Sequence, residues 1–122
     1  MEKKIYNLDE RTYKFAKDVM DFINVLPRTI PNSEITRQLV RSAGSIGANY
    51  IEASESLSAK DFNMRIKICR KEAKETMYWL KLLQVKGDAM DKKREMLVTE
   101  AEELMRIFGS IVSKAKSQNA GN

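Results

Sequence analysis

The side chains of this chain that are best suited to catalysis or metal binding are three glutamates on two predicted helices. Glu52 closes a polar stripe on the second helix, and Glu72 and Glu75 lie three residues apart on the third, so both project from one face. Paired carboxylates suit metal binding or acid–base chemistry. They equally suit a buried hydrogen-bonded network that fixes helix register. Either interpretation uses Arg41, Asn49, Glu52, Glu72 and Glu75.

Composition favours the network. The chain has no histidine, the commonest general base and metal ligand, and one cysteine. A di-metal site in a helical bundle normally includes a Glu-x-x-His motif. The sequence also lacks a glycine-rich phosphate loop. We therefore predict no catalytic residue, no metal ligand and no cofactor, and we predict that Cys69 is a small core residue.

A basic face on the third helix is the second candidate site. The whole net charge of +5 falls between residues 58 and 86, which hold eight basic and three acidic residues. Basic side chains and one tyrosine recur at helical spacing, opposite the apolar line of that helix. Such a face suits phosphate backbones with aromatic stacking on bases, or it is a solvated surface that aids solubility. The predicted nucleic-acid contacts are Lys67, Arg70, Lys71, Lys74, Tyr78 and Lys81.

Four amphipathic helices position these groups, with predicted bounds near 9–25, 33–55, 59–86 and 91–116. Asn32 or Ser33 is predicted to cap the second helix, Ser58 the third, and Gly87 to end the third. Apolar residues recur at intervals of four and three along the third helix, as in coiled-coil packing. This line comprises Phe62, Ile66, Cys69, Ala73, Thr76, Leu80 and Leu83.

Short connections force neighbouring helices to run antiparallel. The expected fold is therefore an all-α, antiparallel up-down-up-down four-helix bundle. Residues 1–122 form one predicted domain with a disordered tail at about 117–122. No apolar run reaches the ~20 residues of a membrane span, and no signal peptide is evident, so we predict a cytoplasmic protein without membrane contact.

Two glycines interrupt the second helix. Gly44 and Gly47 each cost about 1 kcal/mol relative to alanine inside a helix, so something must compensate. Close approach of a second helix is the expected reason, either inside the bundle or across a subunit interface. We favour the contact inside the bundle.

Two extended motifs resemble a known family. The second helix carries Gln38, Arg41-Ser42-Ala43, Ser45-Ile46, Asn49 and Glu52, preceded by Pro31 and Glu34. The third carries Lys71-Glu72-Ala73-x-Glu75-Thr76-x-Tyr78-Trp79-Leu80-x-Leu82-Leu83. Together they resemble the four-helix-bundle proteins encoded in intervening sequences of 23S ribosomal RNA genes, over about residues 8–115. The chain differs at Ala53, where many members have glycine, which should let the second helix run further.

The resemblance implies a bundle that assembles as a ring, often a pentamer, without a defined enzymatic activity. A more distant similarity, to the accessory variability proteins of diversity-generating retroelements, implies RNA or DNA and a reverse transcriptase as partners. Apolar residues beyond one seam also favour a homo-oligomer. We therefore expect a non-enzymatic, oligomeric, nucleic-acid-associated bundle. The alternatives are a structural or protein-interaction scaffold and an enzyme or metal protein using Glu52, Glu72 and Glu75.

Overall fold

Four α-helices make up the computed structural model, which describes residues 7–120 and the side chains of residues 7–114. The helices are α1 (Leu8–Asn24), α2 (Ile30–Ser54), α3 (Ala59–Leu82) and α4 (Asp88–Ala120). The described part of the chain contains no strand. The predicted all-α four-helix bundle is confirmed.

Each helix packs against its two neighbours around a closed square, α1 on α2 and α4, and α3 on α2 and α4. The helices α2 and α3 are antiparallel, because residues earlier in α2 contact residues later in α3. The thiol of Cys69 lies 3.4 Å from the carbonyl oxygen of Ile46, and the hydroxyls of Ser42 and Thr76 are 2.9 Å apart. The up-down-up-down order follows from these pairings and the short connections.

The core is filled by the apolar lines that the sequence indicates. Of the seven predicted positions on α3, six are buried and Phe62 is half-buried. On α4 the helical spacing predicts an apolar line of Leu97, Ala101, Leu104, Phe108, Ile111 and Ala115. The first four are buried, whereas Ile111 is half-buried and Val112 is buried in its place. Ala115 lies outside the described side chains. Cys69 is buried among these residues, and burial raises the pKa of its thiol to about 12, which makes it a poor nucleophile.

The prediction that Asn32 or Ser33 caps α2 is wrong. Thr29 is the cap, and its side chain accepts a hydrogen bond from the Asn32 backbone. Pro31 falls inside the first turn, where its missing N–H is not needed. The buried Asn32 side chain instead ties two loops together, because its amide donates to the carbonyls of Pro27 and Gln84, both at 2.9 Å, and its oxygen accepts from the Gln84 backbone.

The end of α3 also differs from prediction. The helix stops at Leu82, four residues before the expected position, because the backbone of Leu83 is extended, with φ −59° and ψ 142°. Arg94 donates to the carbonyl oxygens of Leu83 at 2.6 Å and of Lys81 at 3.4 Å, which satisfies acceptors at this helix end. Gly87, with a φ of +86°, instead precedes the first residue of α4. The Ser58 cap of α3 is confirmed.

The far end of α4 lies beyond its predicted limit. This helix extends to Ala120 and takes in the first residues of the segment predicted to be a disordered tail. Residues 121 and 122 of that segment lie outside the described residues.

The two helical glycines of α2 have different surroundings, which gives a paired prediction. A β-carbon on Gly47 would lie 3.0 Å from the Thr12 hydroxyl oxygen, whereas one on Gly44 would meet nothing within 4 Å. Thr12 is buried and held by a 2.7 Å hydrogen bond to the Leu8 carbonyl, so it cannot yield easily. We expect Gly44→Ala to stabilise the bundle by about 1 kcal/mol. Gly47→Ala should be about 1–3 kcal/mol less stable than Gly44→Ala because of overpacking.

Urea denaturation of both variants checks this pair. The protein is kept as dilute as the signal permits, so that association does not contribute to the free energy of unfolding. Equal stabilities for the two variants would contradict the close approach of α1 and α2 at Gly47.

Candidate nucleic-acid interface and the adjoining polar network

Arg41 joins the two predicted carboxylates across α2 and α3. Its guanidinium donates to Glu72 at 3.3 Å and also to Glu75. Glu72 is buried, and Glu75 accepts a second hydrogen bond from the indole N–H of Trp79 at 2.9 Å. The Trp79 hydrogen bond, followed by Arg41, lowers the pKa of Glu75 below its ordinary value of 4.5. Three of the five predicted network residues therefore meet, with Trp79 as an additional member.

Asn49 belongs to a separate pair of contacts. Its amide nitrogen donates to the Ser45 carbonyl and hydroxyl oxygens, both at 2.9 Å, and its oxygen accepts from Arg65 at 3.1 Å. Arg65 was not singled out from the sequence, because a lone arginine between two apolar positions gives no signal of its partner. The hydrogen bond nevertheless links α2 to α3 two turns away from Arg41.

Glu52 stands apart from both groups. It is exposed, and its carboxylate takes no part in the hydrogen bonds or ion pairs among the described side chains. The five residues therefore do not form one network.

A metal centre has no support in this geometry. No cluster of three or more potential ligands exists within the described range. Glu72 and Glu75 are instead engaged by Arg41 and Trp79.

The predicted basic face lies on the outside of α3. All six residues singled out for it, Lys67, Arg70, Lys71, Lys74, Tyr78 and Lys81, are exposed. The Arg70 side chain lies against α4 at Gly109, where a β-carbon would come within 3.5 Å of its Nε atom. This distance is an ordinary van der Waals contact, so Arg70 packs over α4 without requiring glycine there.

The aromatic residue of this face is held in place by the polar network. Tyr78 is 58% exposed, and its ring meets that of Trp79 edge to face, with centroids 5.0 Å apart and an interplanar angle of 69°. Trp79 is in turn anchored on Glu75. A chain of contacts therefore runs from Arg41 through Glu75 and Trp79 to the exposed ring of Tyr78.

A second ion-pair cluster, which the sequence interpretation missed, joins α1 to α4. Arg11 donates to Glu100 at 2.7 and 2.9 Å and to Glu103 at 2.8 Å. The signal for it was the Glu100–Glu103 pair, spaced like Glu72–Glu75. Of the four pairs of neighbouring helices, α1 and α4 contact each other least. Among the described side chains, this cluster supplies the hydrogen bonds between them.

The fold and the exposed basic face together define a small all-helical bundle with a cationic outer helix. The comparisons with known proteins bear on the fold and the family. The sequence model of the 23S rRNA-intervening sequence proteins matches residues 5–110, so the chain belongs to that family. A crystal structure from Bacteroides thetaiotaomicron, described as a protein of unknown function from the S23 ribosomal protein family, is 28% identical. The match covers 85% of this chain and 96% of that one, with a TM-score of 0.71. No curated protein matches the chain. No helix within the described residues is long and apolar enough to cross a membrane.

The lowered pKa of Glu75 predicts an acid-dependent change at Trp79. Because the folded-state pKa is depressed, the contacts of this carboxylate stabilise the fold above pH 4.5, and that contribution is lost as the pH falls through the lowered pKa. Protonation removes the charged acceptor of the indole N–H, so the emission of Trp79, the sole tryptophan, should change below pH 4.5. In Glu75→Gln this change should be lost.

Fluorescence titration tests the change, with circular dichroism showing at each pH that the helices persist. Glu102→Gln, in an exposed α4 ion pair, serves as the control and should titrate like the wild type. An unchanged titration in Glu75→Gln would show that the tryptophan senses another group.

Proposed function

We propose that this protein binds single-stranded RNA or DNA through the basic face of α3, and that it does so without catalysis and as a homo-oligomer. The observation that carries the proposal is that the acidic and basic side chains of α3 point in different directions. Two of the three acidic residues between positions 58 and 86, Glu72 and Glu75, turn towards Arg41 of α2. They are therefore drawn away from the basic face, which stays strongly cationic.

The tyrosine gives the face a preference for unpaired bases. An exposed aromatic ring beside lysines allows base stacking together with phosphate contacts, the combination used by single-strand binding proteins. The ring of Tyr78 already contacts the ring of Trp79, so its side chain loses less conformational freedom when a base stacks on it. In an oligomer each subunit repeats the face, and weak contacts add through multivalency.

The non-enzymatic part of the proposal rests on the engaged carboxylates. Glu72 and Glu75 are held by Arg41 and Trp79. The third candidate, Glu52, lies apart from them. The five-subunit ring, the reverse transcriptase partner and the cytoplasmic location stay predictions from the sequence.

Binding measurements separate this proposal from the scaffold alternative. Fluorescence anisotropy with labelled single-stranded RNA, single-stranded DNA and duplex DNA, at 50 and 200 mM salt, should show affinity that falls steeply as salt rises. The absence of any binding at 50 mM salt would favour a scaffold in which the lysines serve solubility.

Tyr78→Ala probes the stacking contribution. We expect it to weaken single-strand binding by about 1–3 kcal/mol, the usual value of one base–aromatic stack, and duplex binding by much less. Tyr78→Phe keeps the ring and is the matched control. An equal loss for both nucleic-acid forms would show that the ring does not stack on bases.

A further inference from the structure

The rings of Tyr78 and Trp79 meet although neighbouring residues of a helix do not face each other. Successive side chains of an α-helix point about 100° apart, and contacts along a helix surface usually join residues three or four apart. The two ring centroids nevertheless lie 5.0 Å apart, with an interplanar angle of 69°. Each side chain must therefore hold a particular rotamer, and a change of rotamer at either residue separates the rings.

A hydrogen bond fixes the rotamer of the tryptophan. The indole N–H of Trp79 donates to the carboxylate of Glu75, one turn earlier on α3, at 2.9 Å. That carboxylate also accepts from the guanidinium of Arg41 on α2, which donates to the buried Glu72 as well. Glu75 is thus held from two sides, and the position of the indole is tied to the packing of α2 against α3.

We propose that Glu75 and Trp79 are positioning residues for nucleic-acid binding, which hold the ring of Tyr78 in the orientation that stacks on an unpaired base. The inference rests on the proposed function of the basic face. It assigns the preference for single strands to the network behind that face as well as to the exposed ring. Tyr78 is the residue that contacts the base, and Glu75 and Trp79 act through it.

Charge and positioning predict opposite results when the carboxylate of Glu75 is removed. Loss of an acidic side chain beside the basic face strengthens phosphate contacts, so charge alone predicts tighter binding of single strands and duplexes alike. Loss of the indole anchor instead lets the ring of Tyr78 reorient, which weakens stacking and affects single strands. The ratio of single-strand to duplex affinity therefore reports the positioning, because the charge acts on both forms.

Glu75→Ala tests the proposal on the full chain. Fluorescence anisotropy at 50 mM salt, with labelled single-stranded RNA, single-stranded DNA and duplex DNA, gives the affinity ratio. We expect this ratio to fall about twofold to tenfold, the factor equivalent to one edge-to-face ring pair. Arg41 keeps Glu72 as a partner in this variant, so circular dichroism should show an unchanged helix content.

Two matched variants control for the change of charge. Glu75→Gln also removes the negative charge but keeps an oxygen that accepts from the indole N–H, so it should recover most of the ratio. Glu52→Ala, an equal charge change on an exposed glutamate of α2, should leave the ratio unchanged. Trp79→Phe keeps an aromatic ring without the N–H donor and should lower the ratio as Glu75→Ala does.

A double-mutant cycle shows whether Glu75 acts through the tyrosine. In the Tyr78→Ala background, Glu75→Ala should cause no further fall of the ratio, because the ring that it positions is absent. Equal falls with and without Tyr78 would overturn the positioning role. So would a ratio that Glu75→Ala leaves unchanged while Tyr78→Ala lowers it, a result that would leave the proposed function intact. A wild type that binds neither form would overturn both.

Discussion

Replacement of Lys67, Lys71, Lys74 and Lys81 by glutamine is expected to remove most of the salt-dependent affinity for nucleic acid. Each lysine that contacts a phosphate releases condensed counterions, and for single strands the slope of log affinity against log salt is about −0.7 per contact. Four contacts therefore contribute a slope of about −3. Between 50 and 200 mM salt the wild type should therefore lose roughly fiftyfold more affinity than the variant, which keeps Arg70.

The loss should be the same for every base sequence, because phosphate contacts carry no sequence information. All four side chains are exposed, so the free energy of unfolding should change by less than about 0.5 kcal/mol per site. Anisotropy titrations at several salt concentrations, with urea denaturation alongside, measure both quantities.

A second quadruple variant controls for net charge. Lys17, Arg28, Lys92 and Lys93 are also exposed but lie on other parts of the bundle, and their replacement by glutamine lowers the net charge equally. This variant should keep most of the affinity and of the salt slope. If both quadruple variants bind alike, or if the variant of α3 binds as tightly as the wild type at low salt, the basic face is a solubility feature.

Leu80→Ala is expected to cause the largest loss of stability, about 2–5 kcal/mol. Leu80 is fully buried in the apolar line of α3, near the C-terminal end of that helix. Truncation removes favourable burial and leaves a cavity that a close-packed core closes only in part. Because small domains have a free energy of unfolding of about 5–15 kcal/mol, such a loss is a large fraction of the total.

Leu57→Ala is the matched control for this substitution. Leu57 is the same residue type but is 100% exposed in the connection between α2 and α3. Its replacement should change the free energy of unfolding by less than about 0.5 kcal/mol. Chemical denaturation of both variants gives the comparison, and a cost below about 1 kcal/mol for Leu80→Ala would mean that the packing of α3 is misassigned.

The sequence by itself determined the helices and the sides that they bury. Helical periodicity is a local property, since residues three and four apart share a face whatever the rest of the chain does. For that reason Leu80 and Cys69 could be placed in the core and Lys67 and Lys74 on the surface. The Ser58 cap was predictable on the same ground, because its partner is the backbone of Asp61, three residues on.

Contacts between helices were decided by the tertiary structure. They depend on the rotation and axial shift of each helix against its neighbour, and no local spacing states these. Asn32 was therefore expected to cap its own helix, but its partners belong to Pro27 and to Gln84 in a distant loop. Glu52 was expected to share one network with Glu72 and Glu75, and its exposed position was visible only once the helices were placed side by side.

The contacts of the two glycines of α2 and of the two carboxylates of α3 also depend on how the helices are placed against one another. Gly44 and Gly47 are equivalent in the sequence, yet only Gly47 meets Thr12 of α1, because the crossing point of two helices is set by packing along their whole length. The spacing of Glu72 and Glu75 showed that they share a face. Arg41, Asn49 and Glu52 were all expected to join them, and only the placement of α2 beside α3 decided that Arg41 alone of these three does so.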